Sequence, residues 1–345
     1  MPAIRTRGLT KRYGAGDEAV VALEDLDLEV AEGEVFGFLG PNGAGKTTTI
    51  DLLLDFVRPS EGSASVLGYD TQDETDAVRD RVGVLPEGFD LWNRSSGYRH
   101  LEFAIDSQNG DAEPDALLER VGLDRDDGRR PVGDYSKGML QRLAMAMALA
   151  GDPAVLVLDE PSGGLDPHGI RTMQELVRTE AETGTTVFFS SHILGQVAAV
   201  CDRVGILDDG ELVTVDTIEG LRETAGVGSR LVVQVAGEPG EPLADLTAVE
   251  GVTDVSRAED GIHVTYTDPR AKATVVHRLV ESDAAVLDFD IEEATLEDLF
   301  AAFTGAGTDA RSGAENSSGG GPDGPRETER EDGGALEAEL EEVDR

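Results

Sequence analysis

Lysine is nearly missing from this chain of 345 residues: it stands only at Lys11, Lys46, Lys137 and Lys272. Against 29 lysines and arginines together there are 70 acidic residues, for a formal net charge of -41. Such a surface repels nucleic acid and anionic lipid at ordinary salt, so no nucleic-acid partner is expected. The acidic residues run along the whole chain, as on a surface adapted to high internal salt, where screening shortens repulsion to about 3 Å at 1 M. A dedicated acidic interaction surface is the other reading. Cysteine occurs once, at Cys201, which excludes an internal disulfide framework. Long apolar runs are lacking too. LAMAMALA at residues 143–150 is among the most apolar, and it falls far short of the roughly 18 to 20 residues that span a bilayer. The opening MPAIRTRGLTKRYG has no apolar core, so no secretory signal is expected and the chain reads as cytoplasmic.

What is present divides into three parts. Residues 1–220 alternate apolar strands with helical stretches and contain every strong motif. Residues 221–304 have a different rhythm. RLVVQVA, GVTDVSRA, GIHVTYT and AAVLDFDI predict short strands, PRAKATVVHRLVES and TLEDLFAAF predict helices, and together they predict a small α+β accessory domain. Residues 305–345 are rich in Gly, Ser, Pro, Asp and Glu, cannot bury much apolar surface, and are expected to be disordered, with a transient acidic helix in ALEAELEEVDR.

EVFGFL at residues 34–39 reads as a buried strand, GPNGAGKTT follows at residues 40–48, and TIDLLLDFV continues as a helix. This is the strand–loop–helix context that a G-x-x-x-x-G-K-[ST] pattern needs if it is to bind phosphate. Gly40, Gly43 and Gly45 let the backbone turn and bring its N–H groups close to phosphate, and the helix N-terminus adds a favourable dipole. Lys46 would reach the β and γ phosphates, and the Thr47 hydroxyl would ligate Mg²⁺. A chance glycine-rich turn is the competing reading, and the context disfavours it. The chain is therefore expected to bind ATP with Mg²⁺ and to hydrolyse it.

A second motif lies downstream. AVLVLDEP at residues 154–161 is a continuous apolar run that fits a parallel strand buried on both faces. It ends in two carboxylates. Asp159 is placed to hold Mg²⁺, directly or through water, and Glu160 to polarise the attacking water as a general base. Alone, the pair would read as an acidic turn capping a strand. In YSKGMLQRLAMAMALA, Ser136 predicts a helix N-cap, and the capped N-terminus would also suit a phosphate. TTVFFSSH predicts another apolar strand, with His192 at its carboxyl end, where α/β sheets place their ligands. A neutral His192 there could hydrogen-bond a γ-phosphate.

Together these residues resemble an ATP-binding cassette (ABC) ATPase over about residues 4–220, with the motifs in family order. Tyr13 matches the aromatic that stacks on adenine. GPNGAGKTT matches the Walker A loop, so the resemblance carries nucleotide binding onto Gly40, Pro41, Asn42, Gly43, Ala44, Gly45, Lys46, Thr47 and Thr48. VGVLPEGFDLW falls at the Q-loop, YSKGMLQRL matches the signature, VLVLDEP is Walker B, SGGLDP the D-loop and SSH the switch histidine. Two positions depart from the family pattern. Glu87 stands where glutamine is usual, and a carboxylate there can still ligate Mg²⁺. The signature keeps Ser136 and Gly138 but replaces Gly and Gln with Lys137 and Met139. Both departures, and the ending ATLEDLFAAFTG, look like the exporter-type branch, whose members pump drugs, sodium, polysaccharides or lipids. Relatives that serve copper-site assembly look similar, and an importer subunit or a non-transport ABC ATPase is the further alternative.

The resemblance implies an α/β P-loop NTPase fold: a mixed-sheet core, an antiparallel subdomain and a helical signature subdomain. It also implies a head-to-tail dimer, homo- or heteromeric, in which ATP on one subunit's loop meets Ser136 and Gly138 of the other. Glu160, His192 and Lys46 would be the catalytic residues. The cassette would sit on the inner face of the membrane through a separate transmembrane permease, docked near residues 85–92, with Phe89 and Trp92 as contact candidates; core packing is their other reading. His100, His168, His263 and His277 lack metal-ligand spacing.

Overall fold

The structure is a computed structural model that describes residues 1–16, 19–225, 229–236, 243–258, 261–281, 285–292 and 295–304. The predicted tail at 305–345 lies outside the described residues.

The chain opens with two long strands, β1 (Pro2–Tyr13) and β2 (Val20–Ala31), and a short buried one, β3 (Val35–Leu39). Helix α1 (Lys46–Leu53) follows, then β4 (Glu61–Val66), β5 (Tyr69–Asp70), α2 (Thr75–Arg79) and β6 (Val82–Leu85). A helical stretch comes next: α3 (Gly97–Ser107), α4 (Pro114–Arg120), α5 (Arg125–Arg129) and α6 (Lys137–Ala148). The chain then returns to the sheet through β7 (Val155–Asp159), α7 (Pro167–Glu182), β8 (Thr186–Ser191), α8 (Leu194–Ala198), β9 (Arg203–Asp208) and β10 (Glu211–Asp216). Helix α9 (Ile218–Ala225) leads to β11 (Ser229–Ala236), α10 (Leu243–Leu246), β12 (Val252–Ala258), β13 (Gly261–Tyr266), α11 (Ala271–Glu281), β14 (Ala285–Glu292) and α12 (Leu296–Thr304).

The central sheet has the order β10-β9-β3-β8-β7-β6. Its interior pairs are parallel, and only β10 pairs antiparallel, at one edge. The period of two along each strand divides its side chains between two cores. Phe36 and Phe38 of β3, Val155 and Val157 of β7 and Phe188 of β8 face one core, which the antiparallel sheet β2-β1-β4-β5 and α1 cover. Val35 and Leu39, Leu156 and Leu158, and Val187 and Phe189 face the other, under the helices. Burial on both faces is why these strands are continuously apolar. The mixed-sheet core, antiparallel subdomain and helical signature region are those that the ABC resemblance implies.

Residues 229–292 form a separate antiparallel sheet, β12-β13-β11-β14, with its own core of Leu231, Val233, Ile262, Val264, Val275 and Leu279. The predicted strands and helices of this region are all present. The closing helix differs in its packing. Leu299 of α12, with Phe300 and Phe303, belongs to the core under the central sheet, against α8, α9 and β10. Helix α1 also stops earlier than its apolar pattern suggests. Asp55 takes a left-handed φ of 53°, and the N–H of Phe56 donates back to Asp51 O at 2.8 Å, closing the last turn.

Candidate functional site

Four strand ends and one helix start build the site. The loop after β3 turns through Gly43 (φ 87°) and Gly45 (φ 107°), and Gly45 is the N-cap of α1. A Cβ on Gly45 would meet Ala22 O at 2.5 Å, and one on Gly40 would strike Leu207 O, so neighbouring backbone presses this loop into a form that glycine alone adopts.

Lys46 is 6% exposed. Its ammonium donates to Gly40 O at 2.7 Å and Pro41 O at 3.2 Å, so it lies along the loop rather than projecting into water. Glu160 Oε1 is 3.6 Å from it. The same oxygen is 2.9 Å from His192 Nδ1 but out of hydrogen-bond alignment, so a buried carboxylate oxygen is left without a donor. Glu160 itself takes φ 47°, costly for a side chain with a Cβ. Its N–H is held by Ser190 O at 3.2 Å and Ser190 Oγ at 3.3 Å.

Asp159 ends β7 and is 3% exposed. It accepts from Thr47 Oγ1 at 3.2 Å and from Ser190 Oγ. Among the described residues it has no ion-pair partner. One turn beyond Thr47 on α1, Asp51 has its pKa pushed above the ordinary carboxylate value, first by burial and then by the charge of Asp159. A buried carboxylate with a hydroxyl beside it and no cation paired to it among the described residues fits a divalent cation. No group of three His, Cys, Asp or Glu among the described residues could hold a metal by itself. Magnesium suits such a place, because it keeps several waters and takes oxygens from substrate phosphates.

Asn42, Gly43, Gly45, Lys46, Thr47, Thr48, Glu87 and Glu160 line one cavity of about 260 Å³, with Ala22 of β2. Gly40, Pro41 and Ala44 form the loop behind it. Tyr13 lies outside the lining, 41% exposed at the end of β1, with Lys11 Nζ 4.9 Å above its ring. His192, just past β8, is half-exposed. Ser136 and Gly138 are not brought to this cavity. Ser136 caps α6, accepting from Met139 N at 3.3 Å, and both residues line a different concavity with Lys137, Gly164, Asp166 and His168.

Two site residues, Ser190 and Asp51, carry no functional pattern in the sequence. The only signal for Ser190 is its place two residues before His192 in a strand, since its pairing with Asp159 needs the β7–β8 register. The two aromatics near Glu87 separate: Phe89 packs against the core, while Trp92 is 54% exposed.

Residues 23–163 match the ABC transporter family. An uncharacterized ABC transporter ATP-binding protein of Nostoc is 40% identical over 69% of this chain and 72% of its own length. A daunorubicin resistance ATP-binding protein of Streptomyces coeruleorubidus is 38% identical over 88% of this chain and 96% of its own. A bacitracin transport ATP-binding protein of Bacillus licheniformis is 32% identical over 88% and 98%. Among solved structures, an ATP-binding subunit of an ABC transporter matches with TM-score 0.58 and 28% identity over 65% of this chain and 93% of that one. A dimeric cassette in a post-hydrolysis state with ADP and Pi shares the fold at TM-score 0.57 and 24% identity, over 62% and 98%.

Proposed function

We propose, from the premise that this chain belongs to the ABC transporter family of ATP-binding subunits, that it hydrolyses ATP to energise export of a drug-like or antibiotic compound through a separate permease. The observation that carries the chemistry is one cavity lined by Lys46, Thr47 and Glu160, with Asp159 bonded to Thr47 and Glu160 Oε1 lacking a hydrogen-bond donor. The names of the daunorubicin and bacitracin relatives, each similar along most of this chain, support export.

The Walker A backbone and Lys46 bind the phosphates. Thr47 and Asp159, with Glu87 at the cavity wall, would hold Mg²⁺, which when bound neutralises charge on the phosphate oxygens. Glu160 accepts a proton from the attacking water, and its free Oε1 is the acceptor for it. His192, beside that oxygen, steadies the carboxylate and meets the γ-phosphate. Tyr13 offers a ring to adenine at the cavity's outer edge. Ser136 and Gly138 face a separate concavity, so they serve the nucleotide of a second cassette, and a dimer is the working form. Residues 1–220 act as the ATPase domain and 221–304 as an accessory domain, whose closing helix α12 packs back on the ATPase core. With no helix among the described residues long and apolar enough to cross a membrane, the cassette reaches the membrane's inner face through its permease. Trp92 and Phe103, edge to face at 5.0 Å and both about half exposed, offer an aromatic patch for that contact.

Glu160→Gln tests the assignment. It is expected to bind ATP, accumulate dimer by gel filtration and lose turnover by about 10²–10⁴-fold. Lys46→Ala is expected to lose ATP binding or turnover. Full activity in either variant overturns the site, and co-purification with a multi-helix permease tests the partner.

A further inference from the structure

Between β6 and α3 the chain runs through Glu87, at the nucleotide cavity, to the exposed Trp92. What holds this segment is a buried histidine that the nucleotide chemistry does not use. His100, on the first turn of α3, is 1% exposed. Its Nδ1 lies 2.8 Å from Ser96 O, and its Nε2 lies 2.9 Å from Trp92 N. A carbonyl only accepts and a backbone N–H only donates, so the two contacts together assign the ring: Nδ1 carries the proton and Nε2 is bare. Both ring nitrogens are spent on the backbone of one segment. The ring also faces the Trp92 indole at 5.2 Å.

The segment is tied in turn to the approach to Ser136. Gly133 N donates to Asn93 O at 2.9 Å, and Val132 N donates to Ser95 O at 2.8 Å. Ser96 and Pro131 form a β-bridge. At Gly97 even a Cβ would meet the Tyr135 hydroxyl at 2.5 Å, so the two stretches touch without a gap. Ser136 is the next residue. A continuous set of hydrogen bonds therefore runs from the His100 ring, through residues 92–96, to residues 131–135.

We propose that His100 is a positioning residue: its neutral ring clasps the Trp92 end of the Glu87 segment and makes that segment and the Ser136 turn move as one body. The inference rests on the reading of Glu87 and Ser136 as nucleotide contacts. Nucleotide sensed at Glu87 is then felt at Ser136 and at the exposed Trp92 face through one rigid unit rather than through a slack loop.

Trp92 is the single tryptophan of the chain, so its fluorescence reports the clasp directly. The full chain is compared with His100→Phe, which keeps a ring but loses both hydrogen bonds, and His100→Gln, which retains an acceptor and a donor. Acrylamide quenching of Trp92, turnover and binding of a fluorescent ATP analogue are measured with and without Mg-ATP. His100→Phe is expected to raise nucleotide-free quenching about twofold, to abolish its response to Mg-ATP, and to lower kcat about fivefold with KM within about twofold; His100→Gln recovers most of both. Wild-type quenching and kcat in His100→Phe overturn the proposal, as does a loss in His100→Gln equal to that in His100→Phe. Should His100→Phe not fold, amide hydrogen exchange on the unaltered chain decides. The Trp92, Val132 and Gly133 amides are expected to be protected and to slow together on Mg-ATP; exchange of Trp92 N–H at the unprotected rate overturns the clasp. Failure of the underlying reading looks different: the analogue does not bind, while nucleotide-free quenching still distinguishes His100→Phe from wild type.

Discussion

Burial, and then the negative charge of Asp159, push the Asp51 carboxyl above its ordinary range. A folded pKa above the unfolded value means that the folded chain keeps this proton across the window between them. Stability from this site is therefore greatest at acid pH and falls as pH rises from about 3.9 through the folded value. Asp51→Asn removes the penalty, so its thermal midpoint is expected to exceed the wild type's at neutral pH in nucleotide-free, metal-free buffer. The gain should vanish in acid, and an equal gain at every pH would contradict the electrostatic cause. At this scale the sequence showed Lys46, Thr47, Asp159, Glu160 and His192 through spacing along single segments. It hid Asp51 and Ser190, because what makes each matter lies on another element: the Asp159 charge across from α1, and the register that sets Asp159 beside Ser190.

Between elements, Arg120 at the end of α4 clamps Glu180 of α7 through two hydrogen bonds, from Nε to Oε1 at 2.7 Å and from Nη2 to Oε2. The partners are unequal: the Glu180 side chain is 1% exposed and that of Arg120 30%. Removing the arginine strands a buried carboxylate, whereas removing the glutamate leaves a guanidinium that can turn to water. Arg120→Ala is expected to cost on the order of 3–5 kcal/mol in denaturant unfolding, and Glu180→Gln clearly less. The reverse ranking would show that solvent reaches Glu180. Apolar period and punctuation make the motif-bearing elements readable, including the helix that Ser136 caps and the strands of the second sheet; β1, β2 and the elements between α1 and α6 carry no such signal. The destination of α12 is not readable either. LEDLFAAF announces an amphipathic helix, but its pattern is silent on which core receives Leu299 and Phe303.

For the molecule as a whole, the dominant physical fact is a formal charge of -41. Self-repulsion of this size opposes the compact state and is screened by salt, with the Debye length falling from about 10 Å at 0.1 M to about 3 Å at 1 M. The thermal midpoint is expected to rise steeply with KCl across that range, and dimer formation by Glu160→Gln to need the same salt. A flat midpoint would show that the acidic surface is not a salt adaptation. The family, the phosphate loop and the paired carboxylates are legible in the linear chain, because backbone geometry binds those functions to short contiguous patterns. Three-dimensional packing is what brings Glu87 but not Ser136 to the cavity of Lys46, sets α12 against the ATPase core and places the His100 ring at Trp92 N. Each of these depends on which strands and helices become neighbours, and long-range packing leaves no fixed spacing in a linear chain.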